Sequence, residues 1–141
     1  MFSKVLSIFK PKALQKHIKI LVIDDNKVDQ RITCAAIERG GYTALKANSG
    51  RSGLELAKEQ KPNLIILDYN LPDIQGPELC ELLKAHGDTQ QIPVLFLTSL
   101  TAPDNVIKCF EQGRNYLAKP ISIKLLLKQI NSILKDTQPQ S

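Results

Sequence analysis

The sequence predicts the α/β class: a doubly wound, five-stranded parallel sheet in the order 2-1-3-4-5, with helices on both faces. Three observations predict it. Apolar strand-like runs alternate five times with helical stretches between residues 18 and 135. Right-handed crossovers leave few other arrangements for that alternation. Strands one, three and four are the most apolar and suit the middle of the sheet, whereas the polar second strand and the short fifth suit its edges.

In chain order, Ile18 to Ile23 forms the first strand, and Asp25 or Asn26 caps a helix reaching Arg39. Val28, Ile32, Ala35 and Ala36 recur at helical spacing there, and Gly40-Gly41 stops it. Tyr42 to Ala47 is the second strand. Ser49 caps a helix to about Gln60, with Leu54, Leu56 and Ala57 apolar, and Pro62 bars its continuation. Asn63 to Leu67 is strand three. Pro77 sits at the first turn of a helix to His86, which Gly87 ends. Ile92 to Leu97 is strand four, Pro103 opens a helix ending at Gly113, and Asn115 to Ala118 is strand five. Ser122 caps the last helix, Ile123 to about Lys135, whose buried side carries Leu126, Leu127, Ile130, Ile133 and Leu134.

Composition fits one soluble domain. The chain has 141 residues, enough for a real core, and 43% hydrophobic with 23% charged residues argues against disorder. Cys34, Cys80 and Cys109 are far apart and form no C-x-x-C or Cys/His motif, which fits thiols in a reducing, cytoplasmic compartment. No apolar run is long enough to cross a bilayer. The net charge of +5 sits in the head: residues 1–19 hold Lys4, Lys10, Lys12, Lys16 and Lys19 and no acid. The rest is balanced and shows no basic cluster on a helix, so nucleic acid is not an expected partner.

The chemistry lies where strands end. Ligands of such sheets bind at the carboxyl ends of the strands, beside the point where strand order reverses. Strand one ends at Asp24 and Asp25, and strand three ends at Asp68. Three carboxylates in a partly dehydrated cleft repel one another, so protonation or a divalent cation must offset them. Oxygen ligands without His or Cys favour Mg²⁺ or Mn²⁺, and Mg²⁺ collects phosphate oxygens. Strand four ends at Thr98 and strand five at Lys119, followed by Pro120. A hydroxyl and an ammonium at adjacent strand ends can donate to phosphoryl oxygens.

With IDDN at strand one, LDYNLPDIQG at strand three, FLTS at strand four and YLAKP at strand five, residues 18 to 135 resemble a receiver domain of two-component response regulators, a flavodoxin-like fold. The resemblance implies phosphotransfer to Asp68 from a histidine kinase or a histidine phosphotransfer protein. It implies Asp25 and Asp68 as side-chain ligands of Mg²⁺, the main-chain carbonyl of Asn70 as a third ligand, and Asp24 acting through water. Thr98 and Lys119 would hold the phosphoryl group, and the Lys119-Pro120 bond would be cis. Tyr116 resembles the aromatic switch residue that moves as Thr98 shifts; without the resemblance it reads as an ordinary edge-strand aromatic. The output face for a downstream protein would lie within residues 103–135. The chain would act on itself only, not as an enzyme on external substrates.

Other readings fit less well. A phosphatase that forms phosphoaspartate on a similar sheet, of the haloacid dehalogenase-like kind, needs a second Asp two residues after the nucleophile, where this chain has Asn70. A nucleotide carrier needs a Gly-rich phosphate loop, and DDNKVD would repel phosphate. An unphosphorylated docking module of the same fold is the remaining alternative. The expected organisation is a basic amphipathic extension over residues 1–17, a receiver domain over 18–136 and a tail over 137–141. In the extension Phe2, Val5, Leu6 and Phe9 share one helical face, which suits packing on the domain, a homodimer contact or a weak membrane-surface contact.

Overall fold

A computed structural model of the chain describes residues 15–99 and 115–137. The expected helix from Pro103 to Gly113, Cys109, the amphipathic face of the extension and the end of the tail lie outside the described residues.

Five strands form one parallel sheet in the order β2-β1-β3-β4-β5, as predicted. They are β1 (Lys19–Ile23), β2 (Thr43–Ala47), β3 (Leu64–Asp68), β4 (Val94–Ser99) and β5 (Asn115–Lys119). The helices are α1 (Lys27–Arg39), α2 (Gly50–Gln60), α3 (Gly76–Lys84) and α4 (Ile123–Thr137). β3 is buried at every residue, and the two edge strands are the most open, which is the burial order that the apolar content of the strands predicts. No helix among the described residues is long and apolar enough to cross a membrane.

Alternation along the strands splits the core in two. Ile20, Val22, Leu64, Ile66, Leu95 and Leu97 point to one face, where Ala36 and Ile37 of α1 and Leu126 and Ile130 of α4 cover them. Leu21, Ile23, Ile65, Leu67 and Phe96 point to the other, under Ala57 of α2 and Leu79 and Leu83 of α3. A strand buried on both faces has no polar side available, so its acids can stand only at its end.

Two helices differ from expectation. The stripe of Val28, Ile32 and Ala35 on α1 faces solvent, Val28 at 65% exposure and Ile32 at 42%, while Gln30, Thr33, Ala36 and Ile37 are buried. The rotation is set at the helix start. Asn26 caps it by accepting from the amides of Val28 and Asp29, and the buried Gln30 amide donates to the main-chain carbonyls of Asp24 and Ala47. Those bonds turn residue 30 inward and leave 28 and 32 outside. α3 ends at Lys84 rather than His86, because the Thr89 hydroxyl takes the Leu83 carbonyl at 2.6 Å and pulls the chain out of the helix. Gly87 lacks the positive φ of a glycine stop. At the end of α1 the glycines do act, since Gly41 has φ 95°, a conformation that favours glycine.

Candidate functional site

The parallel register brings the predicted residues to one edge of the sheet. β1 and β3 pair through Ile23 and Leu67, so Asp24 and Asp68, each next in sequence, emerge side by side. β3 and β4 pair Asp68 with Leu97, and β4 and β5 pair Ser99 with Lys119, which carries Thr98 and Lys119 to the same edge. Asp24, Asp25 and Asp68 each offer a carboxylate oxygen, all within 4.8 Å of one another.

Their environments differ. Asp24 is fully buried and Asp68 nearly so, whereas Asp25 is exposed. One oxygen of Asp24 accepts from the Asn26 amide at 2.9 Å, and one oxygen of Asp68 accepts from the Asn70 amide at 3.2 Å. The other oxygen of each holds the Lys119 ammonium, at 3.2 Å from Asp24 and 3.3 Å from Asp68. A fourth carboxylate, Asp29 on the first turn of α1, holds the same ammonium more closely, at 2.9 Å.

Electrostatics follow from burial. Desolvation raises the Asp68 carboxyl to about 6; the Lys119 charge opposes the rise and the Asp24 charge adds to it. Burial by itself would depress the Lys119 ammonium, yet the Asp29 hydrogen bond and the charges of Asp68 and Asp24 leave it above its ordinary value. The site is thus a crowded set of acids sharing one cation. Oxygen donors at this spacing, with no His or Cys among the described cluster, fit a hard divalent cation.

Thr98 is fully buried, and its hydroxyl has no hydrogen-bond partner among the described residues. A buried hydroxyl without a partner costs stability and suits a ligand oxygen that arrives later. Asn70 is exposed in the loop after β3, where it bridges Gln75. Tyr116 is half-buried on β5 and packs against the core cluster containing Phe96. The Lys119-Pro120 peptide is cis.

Three residues near the site escaped the sequence reading: Asp29, Gln30 and Asp73. Asp29 lies on the first turn of the helix that Asn26 caps, directly after the acid pair, and that nearness in sequence is the signal that could have found it. Gln30 reads as a solvated polar residue in isolation, and Asp73 as a loop residue, because their partners are distant in sequence.

Residues 20–131 match the family model described as the response regulator receiver domain. The chain is 32% identical to Protein PilH of Pseudomonas aeruginosa over 117 residues, covering 82% of this chain and 97% of that protein. It is 30% identical to the polar-differentiation response regulator DivK of Brucella anthropi over 118 residues, covering 83% of this chain and 96% of that protein. Among solved structures, the receiver domain of Francisella response regulator 1452 superposes with a TM-score of 0.76 at 29% identity, covering 86% of this chain and 99% of that one.

Proposed function

The chain belongs to the response regulator receiver family, and from that membership we propose that it takes a phosphoryl group from a phosphohistidine donor onto Asp68. The donor class is a histidine kinase or a histidine phosphotransfer protein. The observation that supports this reading most is the convergence of Asp24, Asp25 and Asp68 with the buried, unpartnered Thr98 hydroxyl and the Lys119 ammonium at one sheet edge.

In the proposed reaction a carboxylate oxygen of Asp68 attacks phosphorus, the P–N bond to the donor imidazole breaks, and the imidazole leaves with the electron pair. Asp25, Asp68 and the main-chain carbonyl of Asn70 would hold Mg²⁺ or Mn²⁺, with Asp24 acting through water. When bound, the cation would supply charge neutralisation between the anionic nucleophile and the phosphoryl oxygens. Lys119, which contacts Asp68, would donate to a phosphoryl oxygen. Thr98 would move its hydroxyl to a second one, and Tyr116 would follow into the space that Thr98 vacates. The consequence is a two-state change read by a partner protein over residues 103–135.

The test is incubation of the folded protein with Mg²⁺ and acetyl phosphate. The expected product carries one phosphoryl group, labile to hydroxylamine, that chelation of Mg²⁺ prevents and Asp68→Asn abolishes. Full labelling of Asp68→Asn would overturn the assignment. Absence of label on the folded wild-type chain would instead favour an unphosphorylated docking module.

A further inference from the structure

The ammonium of Lys119 is a rival of any cation in this site. Both Asp24 and Asp68 have one oxygen committed to a backbone amide, and the remaining oxygen of each is committed to Lys119. A divalent cation entering between the acids meets an ammonium already bound to both Asp24 and Asp68. Where Lys119 rests between its partners therefore decides how open the cluster is.

Asp29 is the partner that does not belong to the acid cluster. Its carboxylate makes the shortest of the three contacts, 2.9 Å against 3.2 and 3.3 Å, and its side chain is 33% exposed where that of Asp24 is fully buried. It stands on α1, held there by the Asn26 cap that accepts from the Asp29 amide itself, so it belongs to a rigid element and not to a loop. It therefore offers the ammonium a carboxylate that is not one of the cluster of Asp24, Asp25 and Asp68.

We propose that Asp29 is a positioning residue for Lys119: it anchors the ammonium at the outer rim of the acid cluster, clear of the divalent cation, with its other N–H donors left on the phosphoacceptor side. The inference rests on the receiver reading of the site. An ammonium has three donors, and the three carboxylates use all of them. When Asp24 and Asp68 turn to a cation, the Asp29 bond persists and two donors become free for phosphoryl oxygens. Without Asp29 the ammonium has only Asp24 and Asp68, and settles between them.

The experiment is a double-mutant cycle on Mg²⁺ affinity, measured by titration calorimetry on the full chain. Its members are wild type, Asp29→Asn, Lys119→Gln and the double variant, with melting curves in chelator to establish that each is folded. Asp29→Asn should weaken Mg²⁺ binding by about tenfold when Lys119 is present, and by no more than about twofold in the Lys119→Gln background. A purely structural role for Asp29 would lower the melting temperature and leave the affinity unchanged. Equal weakening in both backgrounds would show that Asp29 acts through its own charge and would overturn the proposal, as would no weakening in either. Asp25→Asn separates this from the wider reading: if the wild-type chain binds no Mg²⁺, or binds it as well after Asp25→Asn, the receiver site itself is misassigned and the role of Asp29 falls with it.

Discussion

The carboxylate of Asp73 accepts a hydrogen bond from the Gly50 amide at 2.8 Å, joining the loop after β3 to the first turn of α2. Its second oxygen takes the Arg51 amide at 2.9 Å. Both amides belong to a helix start, where no intrahelical acceptor exists and a negative charge is favoured. The loop is closed on itself as well, since Gly76 donates to the Tyr69 carbonyl at 2.7 Å and Asn70 bridges Gln75. Asp73 therefore fixes the tip of the loop that follows Asp68.

Asp73→Ala is expected to lower stability by about 1 kcal/mol, by analogy with loss of a capping side chain, and exposure to solvent keeps the effect from being larger. The Arg51 and Gly50 hydrogen bonds hold the Asp73 carboxyl below its ordinary value. A depressed folded value means the contribution is present above the unfolded value and is lost as pH falls through the folded one. Urea midpoints of wild type and variant should thus differ at neutral pH and converge in acid.

Gly53→Ala tests the packing of α2 on β1. A Cβ there would lie 2.5 Å from Cδ1 and 2.8 Å from Cγ1 of Ile23. Alanine favours a helix over glycine by about 1 kcal/mol, but forcing a methyl into a filled core costs roughly 1–3 kcal/mol. Net destabilisation is expected in denaturant titrations, and a stabilised variant would contradict the close approach.

The rotation of α1 separates two isoleucines. Ile37→Ala removes a fully buried side chain and should cost roughly 2–5 kcal/mol. Ile32→Ala, on the face that the sequence pattern would have buried, should change stability by no more than about 0.5 kcal/mol. Equal losses in thermal melts would place both in the core.

Without divalent cations, the raised Asp68 carboxyl gives a pH dependence of defined sign. Its value moves from 3.8 to about 6 on folding, through burial first, against the pull of Lys119 and with the Asp24 charge adding. Between those values the folded chain binds a proton that the unfolded chain does not, so stability from this group falls as pH rises from 3.8 toward about 6. Denaturation in chelator on either side of that window should show the fall in wild type, and Asp68→Asn should flatten it.

Thr98→Val replaces a buried hydroxyl that lacks a partner among the described residues with a methyl of similar size. Stability should stay level or rise by about 1 kcal/mol, because the desolvated hydroxyl is no longer left unpaired. Labelling by acetyl phosphate should slow in the same variant. A large loss of stability would reveal a structural role for the hydroxyl instead.

By itself the sequence determined the class of fold, the strand order and the edge at which the acids gather. Those properties depend on local patterns: Ile20 to Ile23 and Leu64 to Leu67 can be satisfied only by burial on both faces, and a carboxylate can follow such a run only at its end. The gathering of Asp24, Asp25, Asp68, Thr98 and Lys119 at one edge was legible for the same reason, since each stands within two residues of the carboxyl end of a strand. Tertiary structure alone decided which face of α1 turns inward, because Gln30 is held there by the carbonyls of Asp24, just after β1, and Ala47, at the end of β2, and apolar periodicity is blind to such a bond. It alone ended α3 at Lys84, through a Thr89 hydroxyl five residues further on. It also decided the partners of Lys119 and Asp73, which lie 90 residues from Asp29 and 23 residues from Gly50. Long-range polar contacts depend on distances set by the packing of whole elements, and residue spacing along the chain carries no record of them.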